Sequence, residues 1–216
     1  MHIFFRSLIP QKTFSQKGFT LIEMIVAVSI FVVLTTTLLL NYNNFNKRLS
    51  LDTLAHQIAQ WARDAQVSAM SVRRAATDAG AFPGYGLYFS RSTPTEFVFF
   101  ADLDGDKRYT PPPPLVNCGD PLTECEKIIK ILQGNTVEKL CGESSAVIAP
   151  SPDCGTFDNA DNFDIVFTRP NPDAQLTGDY APLSPTSYAR AEITVVSPLG
   201  HRRTIEIWTT GQISVQ

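Results

Sequence analysis

The feature that most constrains this 216-residue chain is a long apolar run close to its N-terminus. From Phe19 to Leu40 the sequence is FTLIEMIVAVSIFVVLTTTLLL, which is apolar almost throughout. A helix of about 22 residues is long enough to cross the ~30 Å hydrocarbon core of a bilayer. Basic side chains precede the run, so its N-terminal end is expected to stay in the cytoplasm while the bulk of the chain lies outside.

The residues before the run do not have the organisation of a secretory signal peptide. Residues 1–18, MHIFFRSLIPQKTFSQKG, carry Arg6, Lys12 and Lys17, no acid and no sustained apolar core. A secretory signal places its apolar region before the cleavage site and ends in an A-x-A-like motif, which is the opposite order. We therefore expect residues 1–18 to form a basic leader and residues 19–40 to form the membrane span.

Glu23 is a carboxylate inside the apolar run. An ionisable group at that depth is costly and indicates a functional role by default. The alternative is a glutamate tolerated near the membrane edge because it complements the dipole at the start of a helix.

The heptad Lys17-Gly18-Phe19-Thr20-Leu21-Ile22-Glu23 resembles the processing signal of type IV prepilins and type II secretion pseudopilins. The resemblance implies that a prepilin peptidase cuts after Gly18 and that Phe19 becomes the N-methylated first residue of the mature chain. It also implies that Glu23, now the fifth residue, pairs with the Phe19 amine of a neighbouring subunit and sets axial register. A pair between Glu23 and the N-terminus of its own subunit is the alternative in the unassembled form.

Helical periodicity continues beyond the apolar run. Apolar or small residues recur at steps of three and four, which predicts one nearly continuous helix from about Phe19 to about Thr77. Residues 41–77 are thus expected to form an amphipathic half-helix with an apolar stripe of Leu51, Leu54, Ile58, Trp61, Ala65, Ala69, Val72 and Ala76.

Residues 78–216 have the pattern of short strands separated by turns. The predicted strands are 86–90, 96–101, 127–132, 136–140, 146–149, 162–168, 189–197, 203–209 and 212–215. Prolines in 111–114 and 170–185 indicate extended surface loops there. The predicted fold class is α+β, with a long N-terminal helix packed on an antiparallel sheet or a two-sheet head.

All four cysteines, Cys118, Cys125, Cys141 and Cys154, lie in the head. Their spacing does not fit zinc motifs, and an extracytoplasmic head favours two disulfides. Neighbouring cysteines could be joined, or Cys125 could pair with Cys141 in a nested arrangement at the base of a hairpin.

Asp102, Asp104 and Asp106 alternate in a short acidic segment, a pattern compatible with Ca²⁺. The segment lacks the glycine and the later glutamate of an EF-hand loop. A tight turn in which the aspartates cap backbone amides is the favoured interpretation, and no other cofactor is expected.

Arg202 and Arg203 sit at a predicted hairpin and resemble, imperfectly, a motif with which some DNA-uptake minor pilins contact phosphates. The chain carries a formal net charge of −3, which becomes −6 without residues 1–18. An acidic head is not expected to bind nucleic acid, so a charged surface hairpin is the favoured interpretation.

Shorter matches at 163–174 and 210–215 resemble the GspH/FimT type of minor pilin and pseudopilin, from which the insertion 109–161 departs. The resemblance implies a non-enzymatic subunit of a type IV pilus or type II secretion pseudopilus. Its expected partners are other pilins or pseudopilins, prepilin peptidase, the inner-membrane assembly platform and membrane lipid. No arrangement of its three histidines supports catalysis. The expected location is the inner membrane, with the head in the periplasm or outside the cell.

Overall fold

A computed structural model describes residues 18–71, 82–113, 116–120, 123–143, 154, 158–180 and 183–216. The chain divides into two compact units, Met1–Asn43 and Asn44–Gln216. One α-helix, α1 (Leu21–Met70), contributes to both units. The predicted helix of 19–77 is therefore found from Leu21 onward, and its expected last turns, 72–77, lie outside the described residues.

The first turn of α1 is capped by the residue just before it. The Thr20 hydroxyl accepts a hydrogen bond from the backbone N–H of Glu23 at 3.3 Å, and Glu23 occupies the third helical position. Thr20 and Glu23 thus have the spacing of a capping box, which satisfies backbone donors that a helix end otherwise leaves unpaired.

In the first unit the apolar side chains of α1 are exposed. Its threonines do not add unpaired polar groups, because the hydroxyls of Thr35, Thr36 and Thr37 donate to carbonyls four residues earlier at 2.8–2.9 Å. Internal satisfaction of polar groups is what a bilayer environment requires of a spanning helix.

In the second unit, α1 buries one face made largely of alanine. The predicted stripe is confirmed for Leu51, Leu54, Ile58, Ala65 and Ala69, while Trp61 is half-buried. Ala55, Ala59 and Ala62 are also fully buried. Small side chains at these positions let the helix backbone approach the sheets closely.

The head contains eleven strands among its described residues. In chain order they are β1 (Gly84–Ser90), β2 (Glu96–Asp102), β3 (Cys125–Lys130), β4 (Thr136–Glu143), β5 (Asp158–Asn159), β6 (Asn162–Phe167), β7 (Ala174–Tyr180), β8 (Leu183–Tyr188), β9 (Arg190–Val196), β10 (Arg202–Trp208) and β11 (Ile213–Val215). They form a six-stranded sheet in the order β3-β2-β1-β6-β7-β8 and a five-stranded sheet in the order β11-β10-β9-β4-β5. Every pairing is antiparallel, so the α+β class with a two-sheet head is confirmed.

The main core lies among α1 and the inward faces of both sheets. Side chains alternate across a strand, so Leu87 points into this core with its register partners Phe99 and Ile165. In the five-stranded sheet Ile205 pairs with Val215 and Ile207 with Ile213, so these four residues share the face that packs on the core.

A second, smaller cluster covers the outer face of the six-stranded sheet. It contains Val98, Phe100, Cys125 and Val166, with Tyr88, Tyr109 and Cys118 packed against it. The sheet is therefore buried on both faces, and this explains why the run Phe97–Phe100 is apolar without alternation.

Two predictions about the sheets were wrong. Residues 170–185 were expected to be surface loop, but β7 and the first half of β8 lie there. β8 is an edge strand with an irregular register near Tyr180, and edges and bulges are the places where a strand tolerates a proline such as Pro185. The short strand β5 was also missed, whereas the strand expected at 146–149 lies outside the described residues.

Candidate functional site

The junction between leader and helix is open in the described structure. Gly18 and Phe19 are exposed and precede the first turn of α1. A Cβ built on Gly18 would meet no described atom within 4 Å, so packing does not explain the glycine. An accessible peptide bond at this position is what a processing enzyme needs.

Glu23 lies two residues into α1 and is exposed. Its backbone N–H is bound to Thr20, which gives the residue a local role at the helix start. Within the part of the chain that the structure describes, its carboxylate forms no salt bridge.

Among the described residues, α1 is the one helix that is long and apolar enough to cross a membrane, and its N-terminal half is the apolar part. None of its most apolar window is buried within the protein. The exposed large side chains run from Phe19 to Leu39 and include Phe31 and Leu38. This surface needs either lipid or other apolar helices around it.

The cysteines form two disulfides, Cys118–Cys125 and Cys141–Cys154. The two-disulfide prediction and its neighbour pairing are confirmed, and the nested alternative is wrong. Cys118 and Cys125 belong to the small outer cluster, while Cys141 is in β4. Sequence spacing could not decide this, because it does not show that β3 and β4 belong to different sheets.

The segment Asp102–Asp106 is a tight turn with internal caps. The carboxylates of Asp102, Asp104 and Asp106 accept hydrogen bonds from the backbone N–H groups of Gly105, Asp106 and Arg108 at 2.8–3.0 Å. Burial raises the pKa of Asp102, although the Gly105 N–H opposes the change. The three carboxylates also come within 4.8 Å of one another, so calcium stays a prediction beside the observed caps.

Arg202 and Arg203 lie on β10 directly after the hairpin turn, and both are in ion pairs. Arg202 donates to both Glu138 carboxylate oxygens at 2.6 Å. Arg203 pairs with Asp52 of α1. Phosphate binding would have to displace these carboxylates, so the contacts weigh against a nucleic-acid site.

Two buried acids that the sequence did not single out hold the segment that follows β2. Glu124 accepts hydrogen bonds from the N–H groups of Leu103 and Thr110 at 3.1 and 2.7 Å. Asp164 of β6 accepts one from Tyr109 N–H at 3.0 Å. Burial raises the pKa of both carboxyls, that of Asp164 to about 7. In the sequence, the only sign of the role of Asp164 was that it is an acid inside the apolar strand 162–167.

The described N-terminal geometry, an exposed glycine followed by an exposed apolar helix, is consistent with a prepilin-type protein. A family model described as the prokaryotic N-terminal methylation motif matches residues 13–39, which include Gly18, Phe19 and Glu23. Comparison with curated proteins and with solved structures finds no match. These findings support a type IV pilin-like protein that is a substrate of prepilin peptidase, assembles with other pilins and is structural in role. Its single apolar helix is consistent with anchoring in the inner membrane.

Proposed function

We propose that this protein is a minor pilin or pseudopilin of the GspH/FimT type. The peptidase cuts between Gly18 and Phe19, Phe19 is N-methylated, and the mature chain enters a type IV pilus or a type II secretion pseudopilus. The head then faces the periplasm or the cell exterior, where two disulfides are stable.

The observation that carries this proposal is the exposed apolar half of α1 with a carboxylate in its first turn. In the bilayer, lipid covers the apolar side chains. In a fibre, the same surface packs against the corresponding helices of other subunits.

Glu23 supplies register in this arrangement. Removal of the leader creates a positively charged amine at Phe19, one turn before the Glu23 carboxylate. Between neighbouring subunits, each charge compensates the other where water is scarce. Such a pair adds little to the stability of the fibre, because the cost of desolvating two charges offsets most of their attraction. Its main effect is to favour one axial position of each subunit relative to its neighbour.

Intact-mass measurement of the membrane-extracted protein tests the processing step. Cells with an active prepilin peptidase should yield a chain that begins at Phe19 and carries one extra methyl group. A Gly18→Leu variant should keep the leader. Recovery of wild-type protein that begins at Met1 from such cells would contradict the proposal.

Substitution of Glu23 tests assembly. Glu23→Ala and Glu23→Gln should both lower the amount of protein in sheared fibres at least about ten-fold, because each removes the charge. Ser29→Ala is the matched control, because it removes another polar group from the same apolar segment. The Ser29 hydroxyl donates to the Val26 carbonyl oxygen of its own helix. Normal fibre entry by Glu23→Gln would exclude charge pairing.

A DNA-binding minor pilin was the second interpretation of the sequence. No contact in the described structure favours it, because Arg202 and Arg203 are paired with carboxylates. It is therefore not proposed as the function.

A further inference from the structure

A cleft of about 310 Å³ opens on the outer face of the six-stranded sheet, opposite the main core. The sheet contributes Tyr88 from β1, Asn162 and Asp164 from β6, and Asp179 from β7. Tyr88 is the register partner of Asp164, and Asn162 is that of Asp179. Directly opposed residues point to the same face, so the strands bring these four side chains together.

The other wall of the cleft is the segment 106–111, and buried carboxylates hold it in place. Tyr109 N–H is bound to Asp164, and Thr110 N–H to Glu124. The Cys118–Cys125 disulfide packs behind this wall in the small outer cluster. The cleft is thus preformed, which lowers the entropic cost of binding a ligand.

The described lining of the cleft is acidic. It contains the carboxylates of Asp106, Asp164 and Asp179, and its one basic side chain is Arg108. When all are ionised, the net charge is −2. Arg108 is already engaged, because its Nη2 contacts both carboxylate oxygens of Asp179. Its Nε also lies 3.9 Å from Asp164 Oδ2, so one guanidinium is shared between two acids and the lining keeps a net negative charge.

Asp164 is the most buried acid of the lining. The residue is only 3% exposed. Its Oδ1 accepts the bond from Tyr109 N–H, while the nearest described cation to Oδ2 is Arg108 Nε at 3.9 Å. That separation is too long for a hydrogen bond. The ion pair with Arg108 is therefore long, and a second cation in the cleft would favour the ionised carboxylate further.

Two tyrosine rings complete the site. Tyr88 and Tyr109 lie with ring centroids 4.9 Å apart, and Phe100 supports Tyr109 at 5.4 Å. Burial raises the pKa of both phenols, that of Tyr109 to about 12, so they remain neutral. The faces of neutral aromatic rings attract cations.

We propose that this cleft binds an organic cation, namely a primary ammonium or a guanidinium group. The group could belong to a free amine or to a lysine or arginine side chain of a partner protein. The net negative lining would repel an anion, and a neutral sugar would leave that charge unbalanced. Asp164 and Asp179 are not among the described carboxylates that converge on one point as a metal requires, which are Asp102, Asp104 and Asp106.

Binding should release a proton. Burial holds the pKa of Asp164 near 7, against opposing effects of Tyr109 N–H and Arg108, while Asp179 and Asp106 raise it further. Tyr88 also faces this carboxyl. A bound cation favours the ionised carboxylate, so affinity should rise between about pH 5 and pH 7 and level off above pH 7.

The test uses the full mature chain in detergent micelles and isothermal titration calorimetry. Nα-acetyl-lysine N-methylamide represents a protein side chain, and n-butylammonium represents a free amine. Nα-acetyl-norleucine N-methylamide is the neutral control of similar shape. Titration at pH 6.5 in two buffers of different ionisation enthalpy counts the protons released.

We expect at least one of the two cations to bind and the norleucine compound not to bind. The cation with the lower Kd shows whether the bound group belongs to a protein side chain or to a free amine. Asp164→Asn should weaken binding about ten-fold or more and abolish proton release, because the amide keeps the Tyr109 contact but carries no charge. Asp161→Asn, which changes an exposed acid outside the cleft, should leave affinity unchanged within about two-fold.

Asp106→Asn provides a second test that does not depend on a buried residue, and it should also weaken cation binding. Equal binding of the neutral compound would overturn the proposal. So would the absence of binding by either cation, or cation binding that neither variant changes.

Discussion

At the scale of single residues, Asp164 shows what a buried acid contributes to this head. It fixes the segment 106–111 through Tyr109 N–H. Burial nevertheless disfavours its ionised form and raises its pKa from 3.8 to about 7. The folded state therefore binds one proton more than the unfolded state between these two values.

From this shift we expect the free energy of unfolding to fall as pH rises from about 4 to about 7. Asp164→Asn should remove part of this slope, on the order of 2–4 kcal/mol across the window. Urea unfolding of the full chain in detergent at several pH values measures it, with Asp161→Asn as control. Parallel pH profiles for wild type and Asp164→Asn would contradict the assignment.

Gly86 is a residue whose position leaves no space for a side-chain carbon. It lies in β1, and a Cβ there would be 2.6 Å from the Ile165 carbonyl oxygen and 2.8 Å from the Phe100 ring. Gly86→Ala should therefore lower the free energy of unfolding by about 1–3 kcal/mol through overpacking.

Gly200→Ala is the comparison variant, because there the added methyl group causes backbone strain without overpacking. Gly200 has open space around it but a φ of 79°, so the substitution should cost about 1 kcal/mol. Thermal unfolding of both variants makes the comparison. A Gly86→Ala protein as stable as wild type would show that Phe100 can move without cost.

At the scale of elements, α1 has two halves with different partners. The half in the first unit exposes large apolar side chains, whereas the half in the second unit buries small ones. The change from leucine, isoleucine and valine to alanine along one helix is what permits the second half to lie against two sheets.

Ala62 is fully buried in this contact and tests the requirement for small residues. Ala62→Leu should destabilise the head by about 1–3 kcal/mol, because extra methyl groups have no space in a packed core. Arg63→Leu is the matched control, since Arg63 is exposed on the same turn. Denaturant unfolding monitored by tyrosine and tryptophan signals measures both. Equal stability of the two variants would mean that the helix can shift away from the sheets.

At the scale of the whole molecule, the two units have separate tasks. Both apolar clusters of the head are built from residues 51 and beyond, which all lie in the second unit. The first unit contributes no described residue to either cluster. Folding of the head should therefore not depend on the anchor.

A fragment of residues 44–216, produced in an oxidising compartment, tests this independence. We expect it to be soluble without detergent and to unfold cooperatively, with a midpoint within about 5 °C of that of the full chain. Circular dichroism and size-exclusion chromatography provide the measurement. A fragment that is unfolded while both disulfides are intact would show that the apolar half of α1 supports the head.

The sequence alone determined the anchor and the fold class. A run of 22 residues that is apolar almost throughout, a glycine before it and an acid near its start form a local pattern, and local patterns can be identified before any contact is known. Strands such as β2, β6 and β9 were predicted because their apolar residues and turn boundaries are also local. The order in which these strands pair could not be predicted, because it depends on contacts between residues that are distant in the sequence.

Tertiary structure alone decided the rest. Which cysteines meet depends on which strands are neighbours, and Pro185 is tolerated within β8 because β8 is at a sheet edge. Asp164 becomes a distinctive group because β1, β7 and the segment 106–111 close around it and exclude water. Its altered pKa and its cleft are consequences of burial, and burial arises from contacts between residues that are distant in the sequence.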